Sequence, residues 1–539
     1  MQRKISGSMA IIFAVAFMAI IALLREIWFF PKPDMIPNPD SSWLIYAAQR
    51  LADGEKLYVN MMETNPPLIL WISLLPVWLA KTLGISPFTA FSFLVTFLNI
   101  SSLALCCKVM RRNTLLSAKP FLPAILLYIA FGFFLLSPAV YGQRELLFVS
   151  LVLPYLFKSL LEGERLEKRY DYLIIAMAAV GFAIKPFFLL LWGLNELHKA
   201  IQQRSIMSLF SLDNWIIGIF QIVYFAAIYN LTPEYLNTIL PALLATYFAY
   251  EMAWYNVGKI IVILATMPLI LVWLADPHND YRKLIARVTI WMAACAALIV
   301  LQRKDWLNQI YPLAFMAGLL IVIVLCYLLE LWKELELHIG RARFSALCIS
   351  VVTLLSAVYL DGKFWYFMLE KPSVLHNRLI TEINKHADGK NVYPISYNLQ
   401  TGFPAIALSK GVFHGSFHHL WPLSGIIIRE QEEHVTPDVA KARQFFYDTL
   451  VHDFSGPNPP DFVWVDENVN VERIAGHDID MENRDLIKVL SRDVRFAILW
   501  QNYEQVGEVV GEEPDNKDLA SDEKPMKADR YALYSRIKK

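Results

Sequence analysis

The sequence has few charged residues and no excess of either sign. Of its 539 residues, 18% are charged, and 49 basic residues balance 49 acidic ones. A protein that binds nucleic acid usually carries a basic surface, because phosphate attracts Lys and Arg. The balanced charge therefore argues against a nucleic-acid partner. Apolar residues make up 56% of the chain, which is typical of a membrane protein.

The chain also lacks the cysteine patterns of disulfide frameworks and metal sites. No cysteine has a CxxC or Cys/His spacing, and all of them fall inside apolar runs. Cysteines in such runs usually serve as small core residues. The five are Cys106, Cys107, Cys295, Cys326 and Cys348.

Long apolar runs predict about eleven membrane crossings, because a helix needs about 20 apolar residues to cross the hydrocarbon core. The first run follows Arg3 and Lys4 and has no small-residue cleavage site, so we interpret it as an uncleaved membrane helix. Two short runs predict a hairpin broken at Lys185-Pro186. The predicted segments are roughly 7–30, 87–108, 119–137, 145–161, 171–184, 186–198, 214–230, 256–275, 284–301, 311–330 and 343–361.

Positive charge predicts the orientation, because Lys and Arg concentrate in cytoplasmic connections. Six segments then lie outside the cytoplasm. They are the loop that follows the first predicted helix and contains Asp40 (the first outer loop), Ser137–Glu145, the turn at Lys185, Leu231–Tyr255, Gln302–Gln309 and the chain after about Asp361. The basic clusters that fall in alternate connections are Arg3/Lys4, Lys108/Arg111/Arg112/Lys119, Arg165/Lys168/Arg169, Lys199/Arg204, Arg282/Lys283/Arg287 and Lys333/Arg341/Arg343.

The long apolar runs end near residue 361. We predict a transmembrane module over residues 1–361 and an extracytoplasmic α/β domain over residues 362–539. A helix is predicted over Pro437–Leu450, and the charged segment Glu508–Asp529 is predicted to be a mobile excursion before a final strand. The predicted strands are Val392–Tyr397, Phe462–Asp466, Phe496–Trp500 and Tyr531–Ile537.

The first outer loop places a carboxylate at the predicted membrane surface. Asp40 suits the N-cap of an amphipathic helix that ends near Asp53-Gly54. Glu63 and Asn65 follow, just before a Pro-Pro pair that returns the chain to the lipid. Asp40 either caps the helix or takes part in chemistry, and the local sequence alone favours the cap.

Three further polar groups fall on the same predicted side. Arg144 and Glu145 begin a helix, where they either pair with each other or serve a function. Lys185 lies between two apolar half-helices and either reaches the surface or binds an anion. Arg303 and Lys304 are either interfacial anchors or a phosphate site.

Carboxylates and cations on one side of a membrane suit a transferase that acts on a lipid-linked phosphate ester. A carboxylate can act as general base toward an acceptor hydroxyl. Cations neutralise the charge that builds on the departing phosphate. A donor attached to lipid also fits a compartment without ATP.

The first outer loop resembles that of the GT-C fold glycosyltransferases, and most of all the group that contains the lipid A aminoarabinose transferase and the protein O-mannosyltransferases. The resemblance covers roughly residues 1–330. It implies a polytopic α-helical membrane fold in the bacterial inner membrane, with amphipathic helices in the first outer loop. It also implies inverting transfer of a sugar from a polyprenyl-phosphate donor to an extracytoplasmic acceptor, such as lipopolysaccharide, an envelope glycan or a protein. The run that carries it is Asp40…Tyr46…Gly54…Tyr58…Asn65-Pro66-Pro67-Leu68.

The resemblance implies roles for individual residues. Asp40 and Glu145 match the two acidic, catalytic positions. A single Asp followed by Ser-Ser replaces a doubled acidic motif, so the sequence leaves open whether a divalent cation takes part. The expected donor-phosphate residues are Arg144, Lys185, Arg303 and Lys304, and the expected cavity residues are Tyr58, Glu63, Asn65 and Tyr311.

Two other functions are alternatives to a transferase. A non-enzymatic translocator of lipid-linked glycans would place its key polar residues near the bilayer midplane on broken helices, and only Lys185 is a candidate for that depth. A membrane-anchored scaffold whose C-terminal domain binds a partner leaves the first-loop pattern unexplained.

The C-terminal region contains Phe403-Pro404 and, further on, a loop rich in histidine and aromatic residues that ends at Trp421. We interpret this loop as docking the domain onto the membrane module, with an acceptor-facing loop as the alternative. His414 and His418 have the i, i+4 spacing that binds zinc on a helix, but the intervening Gly415-Ser416 disfavours a helix.

Overall fold

The computed structural model describes residues 38–118, 120–136, 140–161, 166–304, 306–334, 374–467, 483–511 and 529–537, with short stretches within 12–22 and 473–480. Residues 15–20 of the predicted first crossing are helical. The remainder of that segment, the crossing at 343–361, the boundary at 361/362 and Cys348 lie outside the described residues. Most of the predicted excursion, residues 512–528, also lies outside them.

Helices dominate the described part of the chain up to residue 334. Five of the described helices are long and apolar enough to cross a membrane, and shorter apolar helices accompany them. The predicted polytopic α-helical membrane fold is confirmed, while the number of crossings stays a prediction. The helices are α1 (Pro39–Ala52), α2 (Leu68–Leu83), α3 (Pro87–Met110), α4 (Thr114–Ser117), α5 (Phe121–Phe134), α6 (Arg144–Lys158), α7 (Lys168–Ala183), α8 (Leu189–Gln203), α9 (Leu212–Leu231), α10 (Leu240–Thr246), α11 (Trp254–Ala275), α12 (Asn279–Gln302) and α13 (Leu307–Glu334).

The chain divides into two compact units, and each is discontinuous in sequence. The helical unit consists of Met1–Ile27, Thr89–Ala226 and Ala253–Met368. The mixed unit consists of Trp28–Phe88, Ala227–Met252 and Leu369–Lys539. The first outer loop therefore folds in the same unit as the C-terminal region. The two-domain division predicted from the sequence stays a prediction.

The helical unit contains the predicted break at Lys185-Pro186. Helix α7 ends at Ala183, and Lys185 is extended, with φ −137° and ψ 137°. A 3₁₀ turn over Pro186–Phe188 leads into α8. The ring of Phe188 stacks on Phe148 of α6, with centroids 3.8 Å apart. The helical path is thus interrupted between α7 and α8, at a proline that has no backbone N–H to donate. The predicted broken hairpin is confirmed.

The mixed unit contains a four-stranded sheet in the order β1-β2-β6-β5. Strand β2 is parallel to β1 and antiparallel to β6, which is antiparallel to β5. The predicted α/β region and three of its strands are confirmed. The strands are β1 (Val392–Ile395), β2 (Phe462–Asp466), β3 (Arg473–Ile474), β4 (His477–Asp478), β5 (Tyr503–Val510) and β6 (Arg530–Arg536); the helices are α14 (Val374–His386), α15 (Leu399–Gly402), α16 (Ala405–Leu408), α17 (Trp421–Gln431), α18 (Pro437–Ser455), α19 (Leu486–Leu490) and α20 (Val494–Trp500).

One predicted strand is wrong. The segment Phe496–Trp500 lies in helix α20, which Asp493 caps by accepting from the backbone N–H of Arg495 (2.9 Å). Phe496 and Trp500 lie one helical turn apart and stack, with centroids 5.8 Å apart. The strand follows as β5, after a turn at Gln501. The predicted helix over Pro437–Leu450 is confirmed as α18.

Candidate functional site

Helix α1 begins with an asparagine cap, and this corrects the predicted position of Asp40. The side chain of Asn38 accepts from the backbone N–H groups of Asp40 (3.0 Å) and Ser41 (3.3 Å). Asp40 is the second helical residue, where negative charge interacts favourably with the helix dipole. The amphipathic helix itself is confirmed, and Gly54, with φ +98°, follows it at the predicted turn. The cap does not depend on the Asp40 carboxylate.

Two buried hydroxyl groups follow Asp40. Ser41 is 7% exposed and Ser42 is fully buried. Neither Oγ atom has a hydrogen-bond partner among the residues that the structure describes. Leaving such a group unsatisfied costs about 1–3 kcal/mol. The first turn of α1 therefore contains two buried polar groups directly after Asp40.

Glu63 is a buried carboxylate in the segment after α1. It is 1% exposed and accepts from the indole N–H of Trp43 and from the backbone N–H of Asn65 (2.8 Å). The hydroxyl of Tyr58 donates to the carbonyl oxygen of Asn65 (2.5 Å). Three of the predicted cavity residues are thus joined in one hydrogen-bonded group. Sequence reasoning missed Trp43 as a partner of Glu63, because a tryptophan on the apolar face of a helix suggests only core packing.

The loop from Phe413 to Trp421 packs on the first outer loop within the mixed unit, while its predicted docking onto the membrane module stays a prediction. Two contacts join it to Met62: the Met62 N–H donates to the Ser416 carbonyl (2.9 Å), and the Trp421 indole donates to the Met62 carbonyl (3.0 Å). The buried guanidinium of Arg50 donates to the carbonyl of Gly415 (2.8 Å). Backbone atoms of the loop therefore hold the first outer loop in place.

The alternative zinc role of His414 and His418 does not fit this loop. The residues between Phe413 and Leu420 form no helix, so the i, i+4 spacing does not place both rings on one face. The ring of His418 stacks on Trp43 with centroids 4.3 Å apart, while His414 Nδ1 lies 3.5 Å from a Glu55 carboxylate oxygen. Among the described residues, no three His, Cys, Asp or Glu side chains gather as metal ligands.

Asp453 of α18 also bonds this loop, through Ser416. Its carboxylate accepts from the backbone N–H (2.8 Å) and hydroxyl (2.6 Å) of Ser416 and from the hydroxyl of Tyr393 (3.1 Å). Burial raises the pKa of Asp453 from its ordinary value of 3.8 to about 6, although the hydrogen bonds oppose the shift. The group therefore binds its proton more tightly in the folded protein than in the unfolded chain.

We expect Asp453 to make the folded protein less stable as the pH rises from about 4 to about 6. A raised folded-state pKa stabilises the fold at low pH, and this contribution of about 2–3 kcal/mol is lost as the carboxyl ionises. Asp453→Asn keeps a side chain that can bond Ser416 and Tyr393. Chemical unfolding across this pH range should therefore show a flatter stability profile for the variant. Parallel profiles for the two proteins would contradict the assignment.

The helical unit brings Glu145 and Lys185 together. Glu145 lies at the start of α6 and is 1% exposed, and its Oε1 atom lies 2.5 Å from Lys185 Nζ. Its Oε2 atom accepts from the side-chain amide of Asn308 on α13 (3.2 Å). Lys185 is itself 8% exposed. The lysine at the helix break thus has a buried carboxylate as its partner, and α13 contacts the same carboxylate.

Arg144 and Tyr311 are buried in the same unit. Arg144 is 7% exposed and Tyr311 is 3% exposed. The hydroxyl of Tyr311 donates to the carbonyl oxygen of Gly132 on α5 (3.0 Å), so this residue also joins α13 to α5. Gln309 is 5% exposed, and its Oε1 atom has no hydrogen-bond partner among the described residues. The carbonyl oxygen of the Gln309 side chain is therefore a buried acceptor.

Arg303 and Lys304 lie between α12 and α13. Arg303 is in the left-handed conformation, with φ 47°, and its guanidinium lies 4.4 Å from the centre of the Trp254 ring. Lys304 is 3% exposed. Asn308, four residues further on, bonds Glu145, and sequence reasoning missed it because an isolated asparagine carries no motif. Asp305, between the two helices, lies outside the described residues.

The predicted site residues therefore form two groups, one in each unit. The mixed unit holds Asp40 at the start of α1 and the bonded group around Glu63. The helical unit holds the Glu145–Lys185 pair, with the start of α13 bonded to it. The residues of the helical group are Arg144, Glu145, Lys185, Arg303, Lys304 and Tyr311; those of the mixed group are Asp40, Tyr58, Glu63 and Asn65.

Comparison with known proteins supports the fold through structure and not through sequence. No family model matches the chain, and no curated protein sequence matches it significantly. The structure is similar to that of ArnT from Cupriavidus metallidurans, a crystal structure with undecaprenyl phosphate bound. The TM-score is 0.55 at 12% sequence identity, and the match covers 98% of each chain. The chain therefore has the GT-C fold of membrane glycosyltransferases.

Proposed function

We propose that the protein is an inverting glycosyltransferase that moves a sugar from a polyprenyl-phosphate donor to an extracytoplasmic acceptor. The observation that carries the proposal is the buried Glu145–Lys185 pair at the break between α7 and α8, in a fold similar to that of ArnT. A buried ion pair is unfavourable unless it is well bonded, so a pair at a helix break in a membrane fold points to a functional site.

The donor phosphate is assigned to the cations of the helical unit. Lys185 is the central one, since Glu145 fixes its ammonium group by an ion pair of 2.5 Å. Arg144 begins α6, and Arg303 and Lys304 follow the end of α12 in the same unit. A fixed cation stabilises the charge that develops on the departing phosphate without reorganising during the reaction. ArnT, which shares the fold, was crystallised with undecaprenyl phosphate.

Asp40 is assigned as the general base. It lies in the first turn of α1, where the Asn38 cap fixes the backbone, and it precedes two buried hydroxyl groups. A carboxylate held in this way can accept the proton of an acceptor hydroxyl as that oxygen attacks the sugar. The bond from the sugar to the phosphate breaks as the new glycosidic bond forms, and the polyprenyl phosphate leaves.

Glu145 is assigned to the site through Lys185. Both of its carboxylate oxygens are bonded, one to Lys185 and the other to Asn308. These bonds favour a role in which Glu145 holds the cation that binds the phosphate. Glu145 is then the second acidic residue of the reaction, in addition to the general base Asp40. Tyr58, Glu63, Asn65 and Tyr311 are assigned to the walls of the substrate cavity.

The protein is proposed to work in the bacterial inner membrane, with its site on the periplasmic side. The alternation of basic clusters along the chain supports this orientation. The first outer loop packs on the loop from Phe413 to Trp421, so the C-terminal region is proposed to contribute to acceptor choice.

Mass spectrometry of lipid A, glycans and envelope proteins from a deletion strain tests the function. We expect one sugar modification to disappear and to return with the wild-type chain. Purified protein should also release polyprenyl phosphate from a polyprenyl-phosphate sugar when the acceptor identified in this way is added without its sugar. An unchanged envelope would contradict the proposal. Movement of the donor across vesicles without its consumption would indicate a translocator instead.

A further inference from the structure

A cavity of about 570 Å³ lies in the helical unit at the end of α6 remote from Glu145. Ser159, which follows α6, lines it, whereas Glu145 lies at the start of the same helix. A helix of 15 residues is about 22 Å long, so the cavity is separate from the Glu145–Lys185 pair. The volume is in the range of small-ligand sites.

Three cations line this cavity from two different parts of the chain. Arg112 follows α3, while Lys283 and Arg287 lie one turn apart on α12 and so share a helix face. One carboxylate, Asp280, also lines the cavity, and its oxygen lies 3.1 Å from Lys283 Nζ. Among the described residues of the lining, three cations thus stand against one carboxylate.

Arg287 is held in a defined position in this wall. It is 5% exposed, and its guanidinium donates to the side-chain oxygen of Gln202 and to the carbonyl oxygen of Ser159 (3.5 Å). These contacts hold the guanidinium at a fixed place in the wall of the cavity. Its planar fork suits the oxygens of phosphate, and less side-chain entropy is lost when such a group binds.

The cavity also has an apolar part, formed by Leu115, Leu160, Leu161 and Leu284. Leucines beside cations and amides match an amphiphile that has a charged head and a hydrocarbon chain. The basic clusters of the sequence predict that this end of the unit faces the cytoplasm. Basic pockets between membrane helices on that side bind anionic lipid headgroups.

We propose that this cavity binds a phosphate-bearing anion. The phosphate lies against Arg112, Lys283 and Arg287, and it belongs either to the headgroup of an anionic membrane lipid or to a soluble phosphate ester. The site serves a ligand different from the sugar donor, because it lies at the opposite end of α6.

Native mass spectrometry of the delipidated full-length protein tests this site, with phosphatidylglycerol, zwitterionic phosphatidylcholine and glycerol 3-phosphate as probes. Arg112→Gln/Lys283→Gln removes two exposed cations that line the cavity, so the fold should persist. Arg111→Gln/Lys168→Gln is the matched control, since both side chains are exposed at the same end of the unit and neither lines the cavity. Thermal unfolding of each variant checks that the fold is intact.

We expect phosphatidylglycerol to bind the cavity variant about 10- to 30-fold more weakly than the wild type, because each cation near a membrane surface contributes about a fivefold factor. The control variant should stay near the wild type, and phosphatidylcholine should bind weakly to all three. If the cavity variant loses binding of glycerol 3-phosphate but keeps binding of phosphatidylglycerol, the soluble ester is supported as the source of the phosphate. Equal losses in both variants, or no loss in either, would overturn the proposal.

Discussion

Replacing Asp40 by Asn is expected to reduce sugar transfer about 10²- to 10⁴-fold, the usual contribution of a general base. The amide has the shape of the carboxylate but cannot accept the acceptor's proton. The start of α1 should survive, because the side chain of Asn38 and not that of Asp40 bonds the free N–H groups. Loss of the carboxylate's interaction with the helix dipole costs about 0.3–1 kcal/mol. Release of polyprenyl phosphate by the purified protein measures the effect.

Two variants separate catalysis from helix capping. Asp53→Asn makes the same chemical change at the exposed C-terminal end of α1 and should leave the transfer rate unchanged. Asn38→Ala removes the cap and should cost about 1 kcal/mol of stability, with a smaller loss of transfer than the Asp40 variant shows. Near-normal transfer by Asp40→Asn would show that the general-base assignment is wrong.

Breaking the Glu145–Lys185 pair should have the largest effect on stability. Removing one partner of a buried pair leaves an uncompensated charge, which costs about 3–5 kcal/mol. Glu145→Gln and Lys185→Gln are therefore each expected to destabilise the protein by about that amount. The double variant has two neutral amides at this position, so its destabilisation should be much smaller than the sum of the single effects. Denaturant unfolding in detergent measures all four proteins.

The transfer rate gives the same variants a second readout. All three should lose transfer, because each removes the fixed cation or the carboxylate that holds it. The stable double variant then shows that the lost activity is not a consequence of unfolding. Additive destabilisation by the two single changes would contradict a direct ion pair. Full activity in the double variant would remove Lys185 from the donor site.

Much of the fold could be predicted because it depends on local patterns. Apolar runs gave the long helices, and the proline after Lys185 marked the break in the hairpin. The helix Leu68–Leu83 was missing from the predicted crossings, although it follows the Pro-Pro pair in an apolar run. It is 16 residues long and contains Pro76, so it is shorter than a standard crossing.

The errors arose where two local signals competed. Asn38 and Asp40 are both good helix caps on either side of a proline, and the sequence does not decide between them. The segment Phe496–Trp500 is aromatic and apolar, which suits a strand as well as a buried helix. Asp493 decides in favour of the helix by capping it, and the strand begins after the next turn.

The contacts of the candidate site could not be predicted from one sequence. Glu145 and Lys185 are 40 residues apart, and Asn308 is 163 residues from Glu145. Each comes from a different part of the fold, and spacing along the chain gives no information on which of these parts pack together. The sequence predicted the residue types that the chemistry needs. Their partners follow only from the packing of α6, the α7–α8 break and α13.

The discontinuous mixed unit has a consequence for biosynthesis. Arg50 bonds the carbonyl of Gly415, 365 residues later in the chain. A ribosome synthesises the first outer loop early, but the backbone that anchors this loop emerges only near the end of translation. The loop that carries Asp40 must therefore wait in an incomplete form while the intervening helices insert. A nascent chain that stops before residue 413 can contain every membrane helix described up to residue 334 and still lack the partners of its first loop.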